Sequence, residues 1–155
     1  MTAGPVADTF EAEVLCDLAR RWLALWETDD LGAFDALHAP DFVDRSSAGR
    51  PSDRAGFREG IRELRRAFPD FRATEVGFYM DEARQAVSVR WSARGTQRGE
   101  YLGVAASGRR VVFSGIEIIR VAGGRIVERW GEWDGLGLRA QLEARVIPST
   151  PAAPD

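Results

Sequence analysis

"SGRRVVFSGIEIIRVAGGRIVERWGEWD" (residues 107–134) holds two runs that alternate with period two and meet at Gly123-Gly124. A Gly-Gly pair supplies the positive φ angles of a tight hairpin turn, so the stretch reads as antiparallel strands at 110–121 and 125–134. Pairing outward from Ala122 opposite Arg125 puts Trp130 across from Glu117, Glu132 across from Gly115 and Asp134 across from Phe113. One face then carries Ile126, Glu128, Trp130, Glu132 and Asp134, and the other Arg125, Val127, Arg129 and Trp133. A single bulge inverts the outer part of that assignment. On this register Asp134 lies at the sheet end, beside Phe113 and Glu132. Such a mixture of aromatic and acidic side chains fits a pocket wall better than a dry core.

Further strands of the same period are expected at 71–80 and 85–97. Before Pro69 the spacing is helical. Phe10, Val14, Leu15, Leu18, Trp22, Leu25 and Trp26 share one face over 8–26, with Asp8 and Glu11 as a capping box. "DLGAFDALH" reads as a short helix stopped by Pro40. A third helix begins near Ser52 or Asp53, presents Phe57, Ile61, Leu64 and Phe68, and ends at Pro69. A closing helix follows at 136–144. Helices first and a meander second is an α+β order. The expected architecture is a cone-shaped curved antiparallel sheet packed by about three N-terminal helices and a short C-terminal helix. Its mouth would be a pocket. Residues 8–147 make one domain, and the Pro-rich ends, 1–7 and 148–155, are expected to be disordered.

Composition narrows the chemistry. With 45% hydrophobic residues in 155, the chain can bury a substantial core. A net charge of −3 with dispersed arginines gives no footprint for nucleic acid. No apolar run reaches membrane-span length and no signal peptide is seen, so no membrane partner is expected and a reducing cytoplasm is the default. Cys16, the one cysteine, sits in the apolar helical pattern and reads as a small buried residue. All 21 basic residues are arginine, which excludes a lysine Schiff base. One histidine, His38, excludes a metal site built on several histidines and reads as a structural or surface residue. No nucleophile elbow, dinucleotide fingerprint or phosphate loop is present. No metal site is assigned, and an enzyme here would work with carboxylates, hydroxyls and arginines.

The segments "HAPDFVDR", "RRAFPDFRATEV", "VSVRWSARGTQRGEYLG", the hairpin quoted above and "GLGLRAQL" resemble the SnoaL-like polyketide cyclases. These are a branch of the nuclear-transport-factor-2-like superfamily, and the match covers most of residues 8–143 in the family's order. The resemblance implies a cone fold, commonly a homodimer through the sheet. It also implies a hydrophobic small-molecule substrate and cofactor-free aldol ring closure in polyketide-type secondary metabolism. Asp134, in Trp130-x-x-x-Asp134, matches the family's acid/base. Histidines frequent in the family are replaced by Gln97 and Arg45, and its Pro-Pro-Thr-Gly by Ala105-Ala106-Ser107-Gly108.

An aspartate near its ordinary pKa is too weak a base for a carbon acid. Burial among Trp130, Trp133 and Phe113, with Glu132 close by, would raise it. Asp134 is therefore the expected proton carrier, with Glu132 and Glu117 as candidate catalytic partners. Gln97 or Tyr101 would donate to an enolate oxygen, and Trp130, Phe113, Trp91, Arg45, Phe42 and Trp26 are candidate substrate contacts. Each has a plainer role available: Asp134 as N-cap of the closing helix, Glu117 and Glu132 as hydrogen-bonded strand residues, Trp91 as core. Competing functions are epoxide opening with Asp134 as acid assisted by Glu132 or Arg45, dehydration or isomerisation, and a non-catalytic binding or dimerisation module.

Overall fold

The computed structural model describes residues 6–144, with side chains from Glu11 onward. The expected disorder of 148–155 and of residues 1–5 lies outside the described residues, whereas Val6 and Ala7 are already helical. The helices are α1 (Val6–Leu25), α2 (Leu31–Leu37), α3 (Arg54–Ala67) and α4 (Gly135–Glu143). The strands are β1 (His38–Asp44), β2 (Arg72–Asp81), β3 (Ala86–Thr96), β4 (Arg110–Ala122) and β5 (Arg125–Trp133). Asp8 falls inside α1 rather than capping it. Asp30, Asp53 and Asp134 cap α2, α3 and α4, each accepting a hydrogen bond from the backbone N–H three residues on.

Four strands are as expected, and β1 is new. The sheet runs β1-β5-β4-β3-β2, open at both edges, and β1 pairs parallel with β5. Pro40 made this segment look like a helix stop followed by loop. An edge strand tolerates a proline because one of its sides needs no donor. The sheet is therefore mixed, and the whole is the α+β cone that the element order implied.

Register decides which side chains face the helices. Ala122 pairs with Arg125 and Val121 with Ile126, as the Gly-Gly turn requires, but the next pair is Arg120 with Glu128. Val127 is thus an extra residue in β5, and everything beyond it changes face. Glu117 lies opposite Gly131, and Gly115 opposite Trp133. Arg129 and Trp133 turn inward, while Trp130 and Glu132 are exposed with Ile116 and Ile118 on the outer face. The inner face, with Val87, Val89, Trp91, Phe113 and Ile119 buried, packs under Leu15, Leu18 and Trp22 of α1 and Phe57, Ile61 and Leu64 of α3. Cys16 is only half-buried, its Sγ 3.6 Å from Met80 Sδ. His38 is fully buried, its Nδ1 paired with the Phe34 carbonyl at 2.9 Å, among the rings of Phe34, Phe42 and Phe57.

Candidate active site

Four neighbouring strands each contribute one polar side chain to a row across the inner face. β1 supplies Asp44, β5 Arg129, β4 Glu117 and β3 Trp91. Arg129 Nη1 donates to Asp44 Oδ1 at 2.7 Å and its Nε to Glu117 Oε2 at 2.8 Å. Trp91 Nε1 donates to the other Glu117 oxygen at 3.3 Å. Two glycines make this possible. A Cβ at Gly131 would run into the Glu117 carboxylate and the Arg129 guanidinium, and one at Gly115 into the Trp91 ring. Glycine inside a strand marks such close approaches.

The row borders a cavity of about 90 Å³, room for several waters. Trp22, Leu64, Phe71, Trp91 and Phe113 wall its buried end, and Glu117 and Arg129 also line it. Trp26, Ala48, Arg50, Tyr101 and Trp133, partly exposed or exposed, line the mouth. Glu117 is 2% exposed, and this burial pushes its carboxyl up to about 7. Charge attraction to Arg129, with the hydrogen bonds from Trp91 and Arg129, holds it from rising further. Near neutral pH the group can therefore both take and return a proton. Burial raises the Tyr101 phenol to about 12, so it remains a donor across the same range. The indole N–H groups of Trp22 and Trp26, both cavity residues, have no hydrogen-bond partner among the described residues.

Of the expected catalytic residues, only Glu117 lies in the cavity. Glu132 is on the outer face. Asp134 is exposed, its Oδ1 accepting from Gly137 N at 2.8 Å as the α4 cap. Its expected apolar setting does not exist, because the bulge turns Trp130 and Glu132 to the exposed outer face and leaves Asp134 exposed at the strand end. Among the expected substrate contacts, Trp26, Trp91, Tyr101 and Phe113 line the cavity, and Trp130, Arg45, Phe42 and Gln97 do not. Arg45 forms an ion pair with Glu128 at 2.7 Å, and Glu128 is held by Arg120 as well. Phe42 is core, against His38 and Phe57. Gln97 is fully buried and fastens the loop that carries Tyr101. Its Nε2 donates to the Val104 carbonyl at 2.9 Å, and its Oε1 accepts from Ser107 Oγ at 2.6 Å. Arg129, Asp44, Arg50 and Trp22 were not foreseen as site residues; mid-strand Gly115 and Gly131 were the available signal for the crowded face.

Asp134→Ala is expected to lower folding stability by about 1 kcal/mol through loss of the cap, with Asp134→Asn nearly neutral, as read by urea denaturation. A turnover loss in Asp134→Asn at full stability would return the residue to the chemistry.

This architecture and cavity define a small-molecule-binding cone fold of the nuclear-transport-factor-2 type. The chain belongs to the SnoaL-like polyketide cyclase family, whose pattern it matches over residues 16–142. Among solved structures it is similar to TsrD from Streptomyces laurentii, with a TM-score of 0.76 and 26% identity over 86% of this chain and 97% of that one. IdmH, a proposed polyketide cyclase from Streptomyces antibioticus, gives 0.73 and 29%, covering 84% of this chain and 99% of its own. AclR, a proposed hydroxylase from Streptomyces galilaeus, gives 0.72 and 26%, covering 83% and 94%. No curated protein matches the chain. No helix among the described residues is long and apolar enough to cross a membrane.

Proposed function

We propose that the protein is a cofactor-independent cyclase of polyketide-type metabolism in which Glu117, rather than Asp134, carries the proton. The observation behind this is a buried glutamate, with its carboxyl near 7, lining an aromatic cavity. Ionised Glu117 takes a proton from an activated methylene of a bound poly-carbonyl chain. The resulting enolate carbon attacks a ketone carbon of the same chain, forming the ring bond. Protonated Glu117 then returns its proton to the new alkoxide. The free indole N–H groups of Trp22 and Trp26 and the Tyr101 hydroxyl are donors for the enolate and alkoxide oxygens. The aromatic walls hold the flexible chain folded, supplying the proximity that intramolecular closure needs. Turnover of acyclic poly-carbonyl precursors by Glu117→Gln is the direct test.

A second reading rests on Tyr101. A neutral phenol in the same cavity as Glu117 is the acid and base pair that epoxide opening uses. Incorporation of labelled oxygen from water into the product would select it.

The outer face supports the expected homodimer: Val112, Ile116, Ile118 and Trp130 are 61%, 49%, 42% and 38% exposed on adjoining β4 and β5. Apolar side chains grouped in this way mark a contact surface. Sedimentation is expected to return a dimer, and Ile118→Arg a monomer; a monomeric wild type would remove the assembly.

A further inference from the structure

Arg50 stands in the loop between β1 and α3 and lines the cavity mouth, its side chain 25% exposed. Its guanidinium lies against α3 at Gly60, where a Cβ would come within 2.7 Å of Cζ. The helix has left room for this group. The loop is wound tightly enough to present it, with Ala48 and Gly49 at φ of 51° and 86° and Arg50 N donating to the Ser47 carbonyl at 3.0 Å. A non-glycine residue at such a φ costs free energy, and strain of this kind gathers at binding sites.

The cation is poorly neutralised for a group so placed. Its Nε is buried without a partner among the described residues. Its nearest carboxylate oxygen, Asp44 Oδ2, is 4.0 Å from Nη2, well beyond the roughly 2.7–2.9 Å of a charge-assisted hydrogen bond. Asp44 uses Oδ1 for Arg129 at 2.7 Å and for Ser46 N at 3.0 Å, and its Oδ2, the oxygen toward Arg50, makes no hydrogen bond among the described residues. Charges on this wall are then Arg50 and Arg129 against Asp44 and Glu117. Whenever Glu117 holds its proton, one positive charge is left over, and Arg50 is the looser of the two cations.

We infer that Arg50 is a substrate-binding residue and that the cavity takes molecules bearing a carboxylate, which docks on the Arg50 guanidinium while the carbon skeleton lies against the aromatic walls. The fork of a guanidinium matches a carboxylate with two parallel hydrogen bonds, and the half-open mouth lets the acid enter head-out. This rests on the cavity being the substrate site and adds to it the class of substrate, an acidic poly-carbonyl compound rather than its neutral ester.

The test is binding of 2-naphthoate and methyl 2-naphthoate, measured by isothermal titration on the full chain. Wild type is expected to favour the acid over the ester by at least about tenfold, one charge-assisted hydrogen bond's worth. Arg50→Gln is expected to remove that preference and leave the ester's affinity unchanged, the unchanged ester showing that the cavity is still folded. Gly60→Ala keeps every charge and crowds the guanidinium, and is expected to weaken the acid selectively. Equal affinity for acid and ester in wild type, no binding of either, or a preference surviving in Arg50→Gln each overturns the inference. Glu117→Gln separates it from the proton-transfer reading: that variant is expected to keep the acid preference. An active Glu117→Gln would sink the proton carrier and leave the carboxylate site standing.

Discussion

Glu117→Gln is expected to reduce turnover by roughly 100- to 10,000-fold, the range that a positioned proton-transfer group contributes. The amide keeps the shape of the carboxyl and can still accept from Arg129 Nε through its oxygen. Its NH2 group, however, then faces the Trp91 N–H, donor against donor, so a small structural penalty accompanies the chemical loss. The two are told apart by pH. Because the folded carboxyl titrates near 7 instead of its ordinary 4.5, the folded chain binds a proton that the unfolded chain has released between those values. Glu117 therefore contributes stability that is fully present below about 4.5 and is lost as pH rises through about 7. His38 acts in the opposite sense. Burial depresses it from 6.5 to about 4, so its contribution is present above 6.5 and is lost as pH falls toward 4. Between about 4.5 and 6.5 the two slopes oppose each other. Subtracting the Glu117→Gln stability profile from that of wild type cancels His38 and leaves Glu117 alone, declining with pH. The wild-type rate should rise with pH through about 7 as the base form of Glu117 appears, and the variant's residual rate should lack that rise. Turnover within a few-fold of wild type would end the proposed role of Glu117.

The elements of the fold were legible because local chemistry fixes them. Helical spacing in α1 and α3, the aspartate caps of α3 and α4 and the Gly123-Gly124 turn all act over a few residues and were kept, whereas the capping box read at Asp8 was not, since α1 begins at Val6. The site was far less legible, and two features explain why. One is the extra residue at Val127. A bulge has no strong local signature, yet it exchanges the faces of Arg129 and Trp130, so that Trp130 leaves the pocket side and Arg129 comes to stand against Glu117. The other is β1. Asp44 reaches Arg129 across 85 residues of sequence, through a parallel pairing with an edge strand that carries a proline. Nothing near Asp44 foretells that partner. Trp91 and Phe113 were found as cavity residues because aromatic side chains on the apolar parity of a strand face inward whether they form core or wall, and Trp26 because it continues the helical spacing of α1. Tyr101, in the loop between β3 and β4, was singled out as a hydrogen-bond donor and not from any periodicity. Gln97 was misread for a related reason: a buried amide satisfied wholly by its own loop looks, in sequence, like one free to meet a ligand.

Arg129→Met carries the largest expected cost to the fold. The guanidinium is 5% exposed as a side chain and stands between carboxylates exposed 0% and 2%, with its Cζ 4.9 Å from the centroid of the Phe57 ring. Removing one partner of a buried pair leaves an uncompensated charge and costs about 3–5 kcal/mol. Here two carboxylates lose their common partner. A domain of this size holds roughly 5–15 kcal/mol in total, so the variant should sit close to unfolding. The loss should also depend on pH. Without the Arg129 charge the Glu117 carboxyl rises further above 4.5, so its contribution still falls as pH rises, and over a wider span. Arg129→Met is accordingly expected to be least stable under alkaline conditions and partly recovered near pH 5, where a proton neutralises Glu117. Adding Glu117→Gln and Asp44→Asn to Arg129→Met removes the stranded charges, and the triple variant should be more stable than Arg129→Met alone, a non-additivity that a surface ion pair would not show. Arg129→Lys should fall in between, because one ammonium on a flexible stem lacks the fork that reaches both acids. Urea midpoints for the four proteins at pH 5 and pH 8 give the comparison. If Arg129→Met matches wild type at both pH values, the row from Asp44 to Glu117 is not an electrostatic unit.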